Sequence, residues 1–294
     1  MMPPAASRLT SEDRALLADR VSVTTALLVL VPVLLMFAAL SSQRLQVSVL
    51  GAPLYVTLDA KTLLLWVMPA LAAIGADWTL RVHPAVREGK VFVLFPFWIA
   101  PGLAAFWLAL ALGQAQSWAV WVLTLIFGAV LVSALIVAEY YTLSPHANQH
   151  VLARNVVQFA SYLIAFASFT LIYGIRERSL VSATATLLIA LALAVDLLAS
   201  QGAPLRRALV FALIAAWAVG QSTWAMNYWN VGALSAGLIL LGVFHFTVGL
   251  SRAVLTGSAS RSVVVTHGGV LTLLALAAFA LANLERAANL PGGI

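Results

Sequence analysis

Cysteine is absent from the 294-residue chain, which excludes disulfides, thiolate metal sites and cysteine nucleophiles. Charge is scarce: Asp, Glu, Lys and Arg together make up 9% of the residues. The lysines Lys61 and Lys90 fall at the edges of apolar runs, so a Schiff-base lysine within a span is excluded. Five histidines are too few for a histidine-rich membrane di-iron centre. No P-loop, G-x-G-x-x-G or G-x-S-x-G elbow occurs, and no basic, aromatic-studded face points to nucleic acid.

What is present is apolar. Hydrophobic residues make up 63% of the chain, against roughly 45–50% in an average soluble domain, and mean hydropathy is +1.01. A hydrocarbon core of about 30 Å needs about 20 apolar residues per helix. Runs of that length recur at 21–40, 60–78, 92–112, 118–140, 155–174, 180–199, 206–226, 232–250 and 263–283. The expected fold is therefore an all-α polytopic transmembrane bundle of eight or nine helices. Residues 1–20 read as a cytoplasmic amphipathic segment, 21–283 as one transmembrane domain and 284–294 as a short tail. The first run starts only at Val21, behind mixed charges, so it reads as a retained span and not a signal peptide.

The net charge of +6 reads as topology. A cytoplasmic N-terminus puts Arg8, Arg14, Arg20, Arg81, Arg87, Lys90, Arg154, Arg206, Arg207, Arg252 and Arg261 inside. Arg44, Lys61, Arg176, Arg178 and Arg286 fall outside, in keeping with the positive-inside tendency. An odd helix count then sends the C-terminus out, whereas eight spans would keep it inside. Thr10 with Asp13 three residues on is a capping pattern that opens a short surface helix. In "RLQVSVLGAPLYVTLD", Leu45, Val47 and Val49 alternate with polar residues before a turn at Gly51-Ala52-Pro53. The pattern resumes through Leu54, Val56 and Leu58, which predicts an extracytoplasmic hairpin. Trp78, Trp98, Trp118, Trp121, Trp224 and Trp229 lie near span ends, as belt or packing residues do. Gly232-Ala233, Ser235-Ala236-Gly237 and Gly268-Gly269 predict close helix approach.

Each inward-running span carries one ionisable group near its cytoplasmic end: Asp77, Glu139, Asp196 and His245. The intervals between them shorten gradually, compatible with a degenerate hairpin repeat followed by a lone ninth helix. Two readings stand for this row. Hydration at the headgroup boundary would explain each group singly. Alternatively the four converge with Arg154 as an inner-leaflet binding cluster, since ionisable groups inside spans are expensive and face the bundle interior. Asp196 lies a few residues inside its span, and its expected partner is Arg206, Arg207 or Arg154.

Two cofactor constellations compete with the cluster. Glu139, His146 and His150, with Asp77 or His83 contributing, offer a zinc or iron site for a lipid-processing enzyme, although Pro145 and Asn148 place the histidines in a loop. His245 and His267, at one depth on consecutive spans, could hold haem b in a redox subunit. The polar Gln158, Gln221, Asn227 and Asn230, with Pro69, Pro96 and Pro101, suit a cavity-lined channel or transporter.

The strings "GADWTLRVHP", "VAEYY" and "NYWNVGALSAGLILLGVFH" resemble a multi-pass bacterial membrane family known as a domain of unknown function. That resemblance implies one compact transmembrane domain of a bacterial cytoplasmic membrane and supplies no activity or site. The leading expectation is non-enzymatic: binding or transport of a small molecule, lipid or ion, or service as a subunit beside a partner protein or a second copy. It requires no cofactor and no nucleic acid.

Overall fold

The computed structural model describes residues 10–38, 42–49, 52–89, 91, 93–144, 149–175, 179–200, 204–229 and 231–288. In chain order they form α1 (Ser11–Phe37), β1 (Gln43–Val49), β2 (Ala52–Leu58), α2 (Ala60–Leu80), the single-turn α3 (Pro84–Arg87), α4 (Pro96–Gln114), α5 (Trp118–Thr142), α6 (His150–Ile175), α7 (Ser179–Ala199), α8 (Leu205–Met226), α9 (Ala233–Leu255) and α10 (Arg261–Ala288). Among the described residues, nine of these helices have the length and composition to cross a membrane. Contacts gather into two compact units, Met1–Val156 and Val157–Ile294.

The first unit packs α1, α2, α4 and α5 against one another. Thr10 caps α1 as expected: its hydroxyl accepts from the Asp13 N–H at 3.1 Å, and the Asp13 carboxylate accepts from the Thr10 N–H at 3.0 Å. The helix then continues without interruption to Phe37, so the surface helix and the first span are one element of 27 residues. No glycine or proline separates Ser11 from Val21, and a helix of that length, about 40 Å, carries its polar first turns beyond a 30 Å hydrocarbon core. Asp59 starts α2 by accepting from the Thr62 N–H at 2.8 Å, and Ser117 starts α5 through the Val120 N–H at 3.3 Å. The hairpin forms antiparallel, with Val49 opposite Ala52 and Ser48 opposite Pro53. Strand β2 therefore already includes the Ala52-Pro53 pair assigned from sequence to the turn.

Lipid tails are as apolar as leucine, so helices in a bilayer associate through close packing more than through hydrophobic drive. The interior of the first unit is accordingly alanine-rich: Ala72, Ala76, Ala105, Ala109 and Ala129 surround Leu28, Met68 and Ile136. Gly75 takes the Thr24 side chain where a Cβ would stand, and Gly128 takes Leu108 in the same way.

The second unit contains α6 from Val157 onward with α7, α8, α9 and α10. Helix α8 presents Ala208, Ala212, Ala215, Ala216 and Val219, all fully buried, along one stripe, and packs on α7 and α9. Of the small residues singled out in the sequence, Gly237 admits the Thr170 side chain of α6, whereas Gly269 faces open space. Two further glycines of α9 do what the Gly268-Gly269 pair was expected to do: Gly242 receives Leu271 and Gly249 receives His267, both from α10. Helix α10 lies against α9 and is otherwise widely exposed, Ala278 being its one buried core residue among those described.

Candidate functional site: polar groups at one end of the first unit and inside the second

The row of four ionisable residues divides between the units, Asp77 and Glu139 in the first, Asp196 and His245 in the second. Asp77 forms a local ion pair one helical turn on, with Arg81 Nε 2.6 Å from its Oδ2 and the arginine side chain 64% exposed. Glu139, by contrast, is 0% exposed within α5. These two carboxylates, equivalent in the sequence pattern, therefore occupy opposite environments. Arg154 is half-buried in the second turn of α6. His150 opens α6 with its Nδ1 3.3 Å from the Tyr141 carbonyl. His146, the remaining member of the set with Glu139 and His150, lies outside the described residues. Among the described residues, no three histidine, aspartate or glutamate side chains gather as a metal-holding group.

The same end of the first unit holds a network that the sequence did not single out. Arg87 Nη2 donates to Asp13 Oδ1 at 2.6 Å and so ties α3 to the first turn of α1. His83, 2% exposed, caps α3: its Nδ1 accepts from the Ala85 N–H at 3.1 Å. That acceptor role puts the ring proton on Nε2, which donates to Ser144 Oγ at 2.6 Å. The Tyr140 ring meets the imidazole edge-on, 4.6 Å between centroids. Burial pushes the His83 pKa down to about 4, with Arg87 adding to the effect and Asp13 and Glu88 opposing it. His83 is a neutral structural hub at pH 7, with both nitrogens already engaged. Nearby, Arg20 stacks over the Trp78 ring at 4.7 Å and donates to the Trp78 carbonyl.

In the second unit the polar groups form a seam through the bundle. Asp196 of α7 is 0% exposed, and the Ser161 hydroxyl of α6 donates to its Oδ2 at 3.2 Å. Arg206 and Arg207, two of its expected partners, are exposed at the start of α8. Gln158, Ser161 and Tyr162 share one face of α6, as the i, i+3, i+4 spacing requires. Gln158 accepts from Arg252 Nη1 at 3.4 Å and also bonds the Tyr162 hydroxyl. The Tyr162 ring lies 5.1 Å from that of His245. His245 Nε2 in turn meets His267 Nδ1 at 3.0 Å. A Cβ at Gly249 would stand 2.5 Å from the His267 ring, so only glycine leaves α9 the notch this imidazole fills.

The two histidines do converge, as their matching depths suggested. Their facing nitrogens hydrogen-bond directly, whereas opposed axial nitrogens on one iron would stand about 4 Å apart, twice a metal–nitrogen bond of ~2 Å. Sequence reasoning counted Arg252 only toward topology and passed over Ser161 and Tyr162. The signal that could have found them is a helical-period polar face inside an apolar span.

Among the described residues, nine apolar helices of bilayer length, with ionisable side chains turned into the bundle, define a multi-pass helical membrane protein. The chain belongs to the family described as Protein of unknown function (DUF5656), whose model matches residues 40–281. The match takes in all three strings that carried the resemblance, and α1 precedes it. No curated protein and no solved structure matches the chain.

Proposed function

We propose that this protein is a non-enzymatic binding or transport protein of a bacterial cytoplasmic membrane, and that it takes a small polar molecule, a lipid headgroup or an ion into the polar seam of its second unit. The observation that carries this reading is Asp196, fully buried in a membrane-length helix and hydrogen-bonded to Ser161. Burying an ionisable group at membrane depth costs several kcal/mol and marks substrate and ion pathways. Gln158, Tyr162, Arg252, His245 and His267 extend the polar surface from α6 across α9 to α10. Together they supply a carboxylate, a guanidinium, an amide, a phenol and two imidazoles, a donor and acceptor set suited to polar recognition.

The test compares detergent-purified wild type with Asp196→Asn by thermal melting, in the presence of phosphatidylglycerol, cardiolipin, sodium ion, and a panel of amino acids and sugars. A ligand at 100 times its Kd stabilises the native state by about 2.7 kcal/mol, which raises Tm by several degrees in a chain of this size. The expected result is at least one probe that shifts the wild type and leaves the variant unmoved. Probes that shift neither protein, or both alike, count against the seam.

A further inference from the structure

We propose that His245 and His267 form a two-imidazole site for a divalent transition-metal ion at the α9–α10 end of the seam. This rests on reading the seam as a binding site and names a class of ligand for it. The argument begins with distance. His245 Nε2 and His267 Nδ1 face each other from consecutive helices at 3.0 Å. Two nitrogens on a tetrahedral ion, each bonded at about 2.05 Å, stand about 3.3 Å apart. Opening the pair by about 0.3 Å therefore converts the hydrogen bond into a chelating bite, a change within side-chain rotation.

Proton bookkeeping favours the exchange. In the hydrogen-bonded pair, one facing nitrogen carries the shared proton. That imidazole moves its proton to its other nitrogen as the metal arrives, so both facing nitrogens present lone pairs with no net proton release. Two neutral ligands leave the ion its full charge and leave two coordination positions to water or to donors of a carried species. That is the pattern of an open site and not of a closed structural one. Imidazole donors suit zinc, copper, nickel and ferrous iron in preference to magnesium or calcium.

The pair is also held in place. The His267 ring lies over Gly249, flanked along α9 by His245 one turn before and Arg252 one turn after. The Tyr162 ring packs against the other imidazole at 5.1 Å. Arg252 is drawn toward α6 by Gln158. Its positive charge weakens cation binding, which suits passage better than permanent retention.

The experiment uses the tag-free full chain in detergent with Zn²⁺ and Cu²⁺, read by equilibrium dialysis with metal analysis and by electron paramagnetic resonance of the copper form. Wild type is expected to bind one ion per chain, and its copper spectrum to show two imidazole nitrogens. His245→Ala and His267→Ala should each lose affinity by more than tenfold. The distinguishing variant is Gly249→Ala, which keeps both ligands but crowds the His267 ring, and it should lose about ten- to a hundredfold, as displaced support of a metal ligand does. His146→Ala and His150→Ala should bind as wild type does.

Substoichiometric binding by wild type overturns the proposal, as does unchanged affinity in both seam-histidine variants. Loss confined to His146→Ala or His150→Ala also overturns it and moves the metal to the first unit. If Gly249→Ala fails to fold, the two alanine variants decide. Metal binding is read directly and without reference to Asp196, so failure here and failure of the melting test are separable results.

Discussion

His83 supplies a pH experiment whose sign and size both follow from the structure. The ring is 2% exposed, its Nε2 proton is given to Ser144, and its Nδ1 accepts the Ala85 N–H. Protonation would place a second proton on Nδ1, facing an N–H that then has no acceptor. Burial is the main reason the group holds a pKa of about 4 and not 6.5. In the unfolded chain the imidazole takes up its proton near 6.5, whereas the native state resists until about 4. The native preference for the neutral ring is thus fully present above pH 6.5 and is lost progressively as pH falls from 6.5 through 4. A gap of about 2.5 in pH, at 1.36 kcal/mol each, amounts to about 3 kcal/mol.

His83→Asn isolates that contribution. Asparagine is a favoured N-cap that keeps an acceptor for the Ala85 N–H and does not titrate. At pH 7.5 the variant should be less stable by about 1 kcal/mol through the weakened Ser144 bond. Melting at pH 7.5, 6.5, 5.5 and 4.5 should then show wild type losing about 2.5 kcal/mol more than the variant, roughly 5–10 °C in Tm. Stability curves that stay parallel across that range would refute the buried, neutral His83 and the tautomer assigned to it.

Other outcomes follow from the packing. A double-mutant cycle of Asp13→Asn with Arg87→Met, followed by thermal melting, should give a coupling of about 1 kcal/mol. The aspartate side chain is only 5% exposed while Arg87 remains 53% exposed, so solvent screens much of the pair; zero coupling would show that α3 is not tied to α1. Gly237→Ala should destabilise by about 1–3 kcal/mol, because the new methyl meets the Thr170 side chain. Gly113→Ala, in α4 with nothing within 4 Å of the added carbon, should stabilise by about 0.4–1 kcal/mol. If Gly237→Ala leaves Tm unchanged or raises it, the α6–α9 contact is wrong.

Much of the candidate site was visible as single residues and hidden as a set. Asp196, His245 and His267 stand out because charge and imidazole are rare in runs this apolar. Asp77 and Glu139 stand out for the same reason, yet one is a surface pair with Arg81 and the other is fully buried. Both lie near the end of an apolar run, and hydropathy reports depth along the helix axis while carrying no record of which way the helix is turned. Ser161 and Tyr162 were lost because serine and tyrosine inside a span are ordinary, and they acquire meaning only through Asp196 and His245 on other helices. Asp13 and Arg87 are separated by 74 positions, and no local pattern links them.

The sequence by itself determined that this is a helical membrane protein, where its spans lie, that Thr10 and Asp13 begin a helix, and that a hairpin joins the first two spans. Those features answer to local rules: a bilayer fixes the length and composition of a span, a cap needs two residues three apart, and a strand alternates with period two. The tertiary structure alone decided which polar groups meet. With lipid as solvent, the rotation and neighbours of each helix are set by close packing at points such as Gly75, Gly237 and Gly249, where a missing side chain on one helix makes room for a particular side chain on another. The contact of His267 with His245 depends on such a fit, because the notch at Gly249 is a property of two surfaces and of neither sequence segment alone.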